Sequence, residues 1–211
     1  MSRPGRPGGK RDENRKARTR ALTEAALRLG LAQGLRAVTV DDVTREAGTA
    51  KGNFYRYFPD KTALVEALVA PVRERLAKAF SRCDEELSML PSGEAVSPAY
   101  EHLALDIAHT VAAYPDIVRL VLTERRGSDD GPTSPIRDLA DEVIVASVGL
   151  SKLATDRGLL RQEDPQVSAL AVVGAVEELT LAVLRGALDA PPEAVARTLV
   201  SLVLDGIRAR D

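Results

Sequence analysis

An all-α fold is the prediction for this chain, and three features of its sequence carry it. Apolar residues return at helical spacing, as at Leu22, Ala25, Ala26 and Leu29. Proline and glycine punctuate the 211 residues at intervals that suit helices. No stretch alternates apolar and polar residues in the manner of a half-buried strand. Hydrophobic residues at 45% suffice for a buried core, and charged residues at 28% for a hydrated surface.

Taken in order, residues 1–13 read as a flexible basic arm. Its opening MSRPGRPGGKR mixes Pro and Gly with Arg and Lys, so neither helix nor strand is expected there. Helix begins at about Asn14 and ends at Gly34. Thr39 then starts a second, short helix: its hydroxyl accepts from free backbone N–H groups, and Asp41 and Asp42 suit the positive helix end. That helix runs to about Ala47, where Gly48 allows a tight turn. A third covers about Ala50 to Phe58, and Pro59-Asp60 ends it and opens the fourth. Pro71 predicts a kink or break near Ala70. Later breaks are expected at 91–97, 114–115, 127–133, 158–164 and 191–192, with Ser97-Pro98 and Ser134-Pro135 as caps followed by first-turn prolines.

The net charge of −2 conceals a division. Residues 1–61 carry +7 and residues 62–211 carry −9, so a polyanionic partner is expected for the N-terminal part alone. The apolar stretch Val167 to Leu188 is interrupted by Glu177, Glu178 and Arg185 and is not expected to span a membrane. The basic N-terminus has no apolar segment behind it, as a secretory signal would. A cytoplasmic location is expected, consistent with the single cysteine, Cys83. No nucleophile elbow, phosphate-binding glycine loop or zincin pair is present, so no enzyme is expected.

Four of the seven aromatic residues, Phe54, Tyr55, Tyr57 and Phe58, crowd into the third helix. Phe54 and Phe58, four apart, share a face and lock that helix inward. Tyr55 and Tyr57 point elsewhere, with hydroxyls suited to phosphate oxygens, while Lys51, Asn53 and Arg56 lie on the exposed side. Helix, glycine turn and helix make a helix-turn-helix unit. Lys61 stands in the first turn of the next helix, where a cation opposes the dipole unless a phosphate docks beside it. In the arm, Gly5-Arg6-Pro7 resembles an AT-hook core; Arg6 is a candidate either for the minor groove or for a tether to phosphates.

Residues 21–64 resemble the DNA-binding domain of the TetR (tetracycline repressor) family, most closely in AGTAKGNFYRYFPDK, Ala47 to Lys61. The segment matches the Ala-Gly turn, Gly52, the aromatic run and Lys61 in register. It departs at Ala50, where the family commonly has a capping Ser or Thr, so that either Thr49 caps the helix or the helix starts less firmly, and at Tyr57, where His is frequent. The resemblance implies phosphate contacts from Thr39, base contacts from Lys51 and Asn53, and a backbone clamp of Tyr55, Tyr57 and Lys61. It implies a domain boundary near residue 64, with a helical effector-binding and dimerisation domain over 65–211. The partners implied are an inverted-repeat operator in double-stranded DNA, a second copy of the chain and an unidentified small-molecule effector, with no cofactor.

Dimerisation is expected through the last two helices, whose stripes are Val167, Leu170, Ala171 and Gly174, then Val195, Leu199, Leu202 and Gly206. His102, Asp106 and His109 share a helix face; with no fourth ligand in view, pocket lining or surface hydrogen bonding is preferred to metal binding. By resemblance the effector cavity lies among helices between Leu64 and Gly158, which makes His109, Arg119 and Glu124 further polar candidates. The competing expectation is a C-terminal domain that binds a protein partner instead of a small molecule.

Overall fold

The computed structural model describes residues 10–91, 95–125, 131–160 and 164–207. Among them nine helices and no strand are found: α1 (Lys10–Gln33), α2 (Val40–Glu46), α3 (Lys51–Tyr57), α4 (Lys61–Met89), α5 (Ser97–Ala113), α6 (Pro115–Glu124), α7 (Ser134–Asp156), α8 (Pro165–Leu184) and α9 (Pro192–Ile207). The all-α expectation holds. Arg6 lies outside the described residues.

Helix α1 starts four residues ahead of the expected Asn14. Beyond Pro7-Gly8-Gly9 no breaker remains, Asp12 and Glu13 suit a first turn, and Lys16 pairs with Asp12 at 3.1 Å. The expected interruption at Pro71 is also corrected, because α4 runs through it. Val65, Leu68, Val69 and Val72 are buried on either side of the proline, and that packing holds the helix across the missing hydrogen bond. Ser97 and Ser134 are the first helical residues of α5 and α7, not caps. Asp164, unremarked in the sequence, caps α8 by accepting from the backbone N–H groups of Gln166 and Val167.

The chain divides into two compact units. One holds the described residues up to Ala70 and those of Thr123–Arg137; the other holds Pro71–Leu122 and the described residues from Asp138 onward. The first is built on Leu22, Ala25, Ala26, Val38, Val43, Phe54, Phe58 and Leu64, which pack α1, α2, α3 and the start of α4 together. The second is centred on Cys83, Leu87, Ala99, Leu150, Ala154 and Leu204, with α9 lying along α5 and against α8. Burial pushes the Cys83 thiol up to about 12, so it stays protonated and unreactive at neutral pH.

Helix α8 has two unlike sides. Ala169 and Val173 are buried, whereas Val167 (64% exposed), Leu170 (45%), Ala171 and Gly174 face outward, and Leu202 of α9 is 71% exposed. Val195 and Leu199, expected beside Leu202, are half-buried. By length and composition α8 qualifies as a membrane-crossing helix, although Glu177 and Glu178 stand within it.

Candidate nucleic-acid interface and internal cavity

Three local devices present the exposed face of α3. Thr39 and Asp42 form a reciprocal capping box at the start of α2: the Thr39 hydroxyl oxygen accepts from the Asp42 N–H, and the Asp42 carboxylate accepts from the Thr39 N–H at 3.0 Å. These bonds hold the Asp42 carboxyl below its usual range. At the other end of α2, Gly48 adopts φ +61°, the N–H of Gly48 bonds the Arg45 carbonyl, and that of Thr49 bonds the Thr44 carbonyl. This left-handed closure turns the chain into α3. Phe54 then fixes α3 from beneath: it is fully buried, 5.8 Å from the Phe58 ring between centroids.

Above that anchor Tyr55 is 55% exposed, and its ring stands edge-on to Phe54 at 5.3 Å, so packing sets its direction without covering it. Lys51, Gly52, Asn53 and Arg56 are exposed around it, and Tyr57 is half-buried. The Asn53 amide donates to the Thr49 hydroxyl at 3.0 Å, so Thr49 orients this exposed side chain. Ala50 occupies the cap position of α3 without a side-chain bond. Lys51 pairs with Asp41 across the turn at 2.9 Å. Both groups are solvated, so the pair is weak and a stronger anion displaces it readily.

Lys61 is corrected. Its ammonium donates to the backbone carbonyls of Leu35, Arg36 and Val38, within the domain. Partial burial lowers its pKa, and the nearby Glu124 and Asp42 carboxylates oppose that fall. The cation that looks misplaced at a helix N-terminus therefore closes the α1–α2 loop. Glu124 belongs to the same cluster, accepting from the Leu35 N–H at 3.1 Å. Replacing Lys61 by Met is expected to lower stability by about 1–3 kcal/mol, as carbonyls lose their donor, and to leave the salt dependence of DNA binding unchanged. Chemical denaturation and a salt titration of duplex affinity check this. A slope reduced by about one contact at unaltered stability would restore Lys61 to the phosphate backbone.

The C-terminal unit holds a pocket of about 210 Å³, partly open to solvent and walled by α5, α7, α8 and α9, with Phe80 of α4 and Leu160. On α5 its wall is the apolar face, including Leu103, Ile107 and Val111. His102, Asp106, His109, Arg119 and Glu124 are not among the lining residues. His102 Nδ1 instead bonds the Glu86 carboxylate at 3.0 Å, Arg82 donates to Asp106 at 3.1 Å, His109 and Arg119 are exposed, and Glu124 is held at Leu35. Among the described residues no group of three or more His, Cys, Asp or Glu is placed to hold a metal. Sequence reasoning missed Tyr100, Ser147, Ser168, Glu177 and Thr180, which do line the cavity. The apolar face of α5 was the available signal, because cavity walls are mostly apolar and only sparsely polar.

This arrangement has the geometry of a helix-turn-helix unit, the class of motif that places a short second helix in a DNA groove. Residues 22–68 match the family model of the bacterial regulatory proteins of the tetR family, so this segment is similar to the N-terminal domain of those regulators. An uncharacterized HTH-type transcriptional regulator of Bacillus subtilis, YuxN, is 27% identical over 109 residues, 52% of this chain and 35% of that protein. The chain thus matches about a third of that relative's length. Among solved structures, the repressor NalD of Pseudomonas aeruginosa superposes with a TM-score of 0.70 at 18% identity, over 93% of this chain and 100% of that one. The regulator FadR of Bacillus subtilis, in complex with stearoyl-CoA, gives 0.67 at 16% identity over 90% and 99%. At those identities the likeness concerns the fold.

Proposed function

We propose that this protein is a cytoplasmic repressor that binds an inverted-repeat operator as a homodimer and is controlled by a small molecule held in its C-terminal domain. The observation that carries the proposal is the face of α3. A fully buried Phe54 supports an exposed set of Lys51, Asn53, Tyr55 and Arg56, in the N-terminal segment, residues 1–61, that carries +7. Gly52 supports the same reading: a Cβ built there would meet nothing, so no internal packing calls for glycine in a helix, and close approach of an external backbone does. The proposed contacts are Lys51 and Asn53 to bases, and Thr39, Tyr55, Arg56 and Tyr57 to phosphates.

Dimerisation is assigned to the outward side of α8 with Leu202 of α9. Covering that side with a second subunit also accounts for an apolar helix in a protein that acts on DNA. The cavity favours a small-molecule effector over a protein partner in the C-terminal domain. The repressor role is supported by the likeness to NalD, a secondary repressor, and small-molecule control by the likeness to FadR, whose structure holds stearoyl-CoA.

Asn53 provides the test. With one amide N–H given to Thr49, its second N–H and its carbonyl oxygen remain for the two-point pairing that adenine offers. In a selection from random duplexes, the wild-type protein is expected to enrich two symmetric half-sites. Asn53→Ala is expected to lose about 1–3 kcal/mol of discrimination at one base pair per half-site. Recovery of no common sequence by the wild type would rule out the proposal, and a uniform loss across sequences would move Asn53 to the backbone.

A further inference from the structure

We propose that the pocket takes a single-headed lipophile whose head is uncharged, an alcohol, amide or protonated acid, lodged among Tyr100, Ser151 and Ser168; this rests on the effector reading above. Six side chains bring polar atoms to a lining that is otherwise hydrocarbon: Tyr100, Ser147, Ser151, Ser168, Thr180 and Glu177. The Ser147 hydroxyl donates at 2.8 Å to the Val143 carbonyl, and Glu177 is already engaged within the protein. The hydroxyls of Tyr100, Ser151, Ser168 and Thr180 make no hydrogen bond to another described residue, so each can both donate and accept. Among the described residues of the lining there is no Lys, Arg or His.

Three of those four hydroxyls belong to one end. Tyr100 of α5 packs on the cluster of Leu150, Ala154, Leu160 and Leu204; Ser151 follows Leu150 on α7, and Ser168 lies near the start of α8, shortly after Leu160. From Ser168 the lining follows α8 past Val172, Val176 and Leu179, and Thr180 stands roughly 18 Å further along the helix. An uncharged head finds both donors and acceptors at the three-hydroxyl end. The same hydroxyls can donate to a carboxylate, yet no cation in the lining offsets its charge, and neutral donors recover only part of the hydration an ion loses in apolar surroundings. An ammonium bears a like cost, since Glu177 is engaged and lies more than two turns from Ser168 along α8. Burial pushes the Tyr100 phenol above its ordinary value, so it stays a neutral donor. A cavity of about 150 Å³ holds benzene, so 210 Å³ suits a chain of roughly eight carbons.

The probes are octan-1-ol, octanoate and octylamine, titrated calorimetrically into the full-length protein between about pH 6 and pH 8, where both ions are almost fully charged in water. Octan-1-ol is expected to bind once per chain with an affinity that does not vary over this range. Octanoate is expected to weaken about tenfold for each unit of pH raised, because only the protonated acid enters; octylamine is expected to tighten about tenfold per unit, because only the free amine enters. Tyr100→Phe and Ser168→Ala are each expected to weaken octan-1-ol about two- to tenfold at an unaltered denaturation midpoint, the effect of one hydrogen bond, whereas Thr180→Val leaves its affinity unchanged. Octanoate or octylamine binding that ignores pH, or octan-1-ol binding unmoved by Tyr100→Phe and Ser168→Ala, would overturn the head-group assignment while leaving the effector reading intact. If none of the three binds, and n-hexane does not either, the pocket is not a ligand site and both readings fall.

Discussion

Replacing Leu170 by Glu is expected to convert the proposed dimer into a monomer without unfolding the chain. Leu170 is 45% exposed on the outward side of α8, so a carboxylate there remains hydrated in the isolated subunit. In the proposed dimer the same position is covered by the second subunit, so the change introduces two carboxylates, one per chain, into apolar surroundings. The penalty is about 3 kcal/mol or more per dimer, which raises the dissociation constant roughly a hundredfold. Operator affinity falls with it, because a single α3 reads only one half-site. Sedimentation velocity checks the mass and circular dichroism the fold. A variant that stays dimeric places the interface elsewhere.

Phe54→Ala is expected to have the largest effect on the DNA-binding domain itself. The ring is fully buried where α3 meets the core of Leu22, Ala26, Val43 and Phe58. Truncation leaves a cavity beneath a helix of only seven residues and costs about 3–5 kcal/mol, a large part of what a small domain has. The recognition surface loses its seat, and duplex binding should disappear for every sequence. Ligand binding in the C-terminal unit should persist. Tyr55→Ala is the contrasting substitution: the tyrosine is exposed, so stability should hardly change while affinity falls for all duplexes alike. A denaturation midpoint unaltered by Phe54→Ala would contradict this account of how α3 is held.

The helix-turn-helix could be read from residues because its determinants are local. Thr39 caps α2, Gly48 makes the turn at φ +61°, and Phe54 and Phe58 sit one helical turn apart, so chain spacing alone brings the deciding groups together. Helix breaks at Tyr114-Pro115 and Pro191-Pro192 were legible for the same reason. Lys61 was not, since the carbonyls that bind it belong to residues 35–38 and meet it only after the chain has folded back. Pro71 shows the limit of propensity, because burial on both sides outweighs one missing hydrogen bond. The polar face of α5 drew attention through His102, Asp106 and His109, yet it is the apolar face of that helix that lines the cavity. A cavity wall is assembled from several helices at once and has no signature in any one of them.

Two copies of this chain are proposed to read one symmetric operator through α3. The most direct test counts protein chains per duplex while the separation of two selected half-sites is varied. Two chains bound per duplex, with affinity highest when half-site centres lie about 34–36 Å apart or at a multiple of that distance, is the predicted result. One chain per duplex, with equal affinity for an isolated half-site, would contradict it.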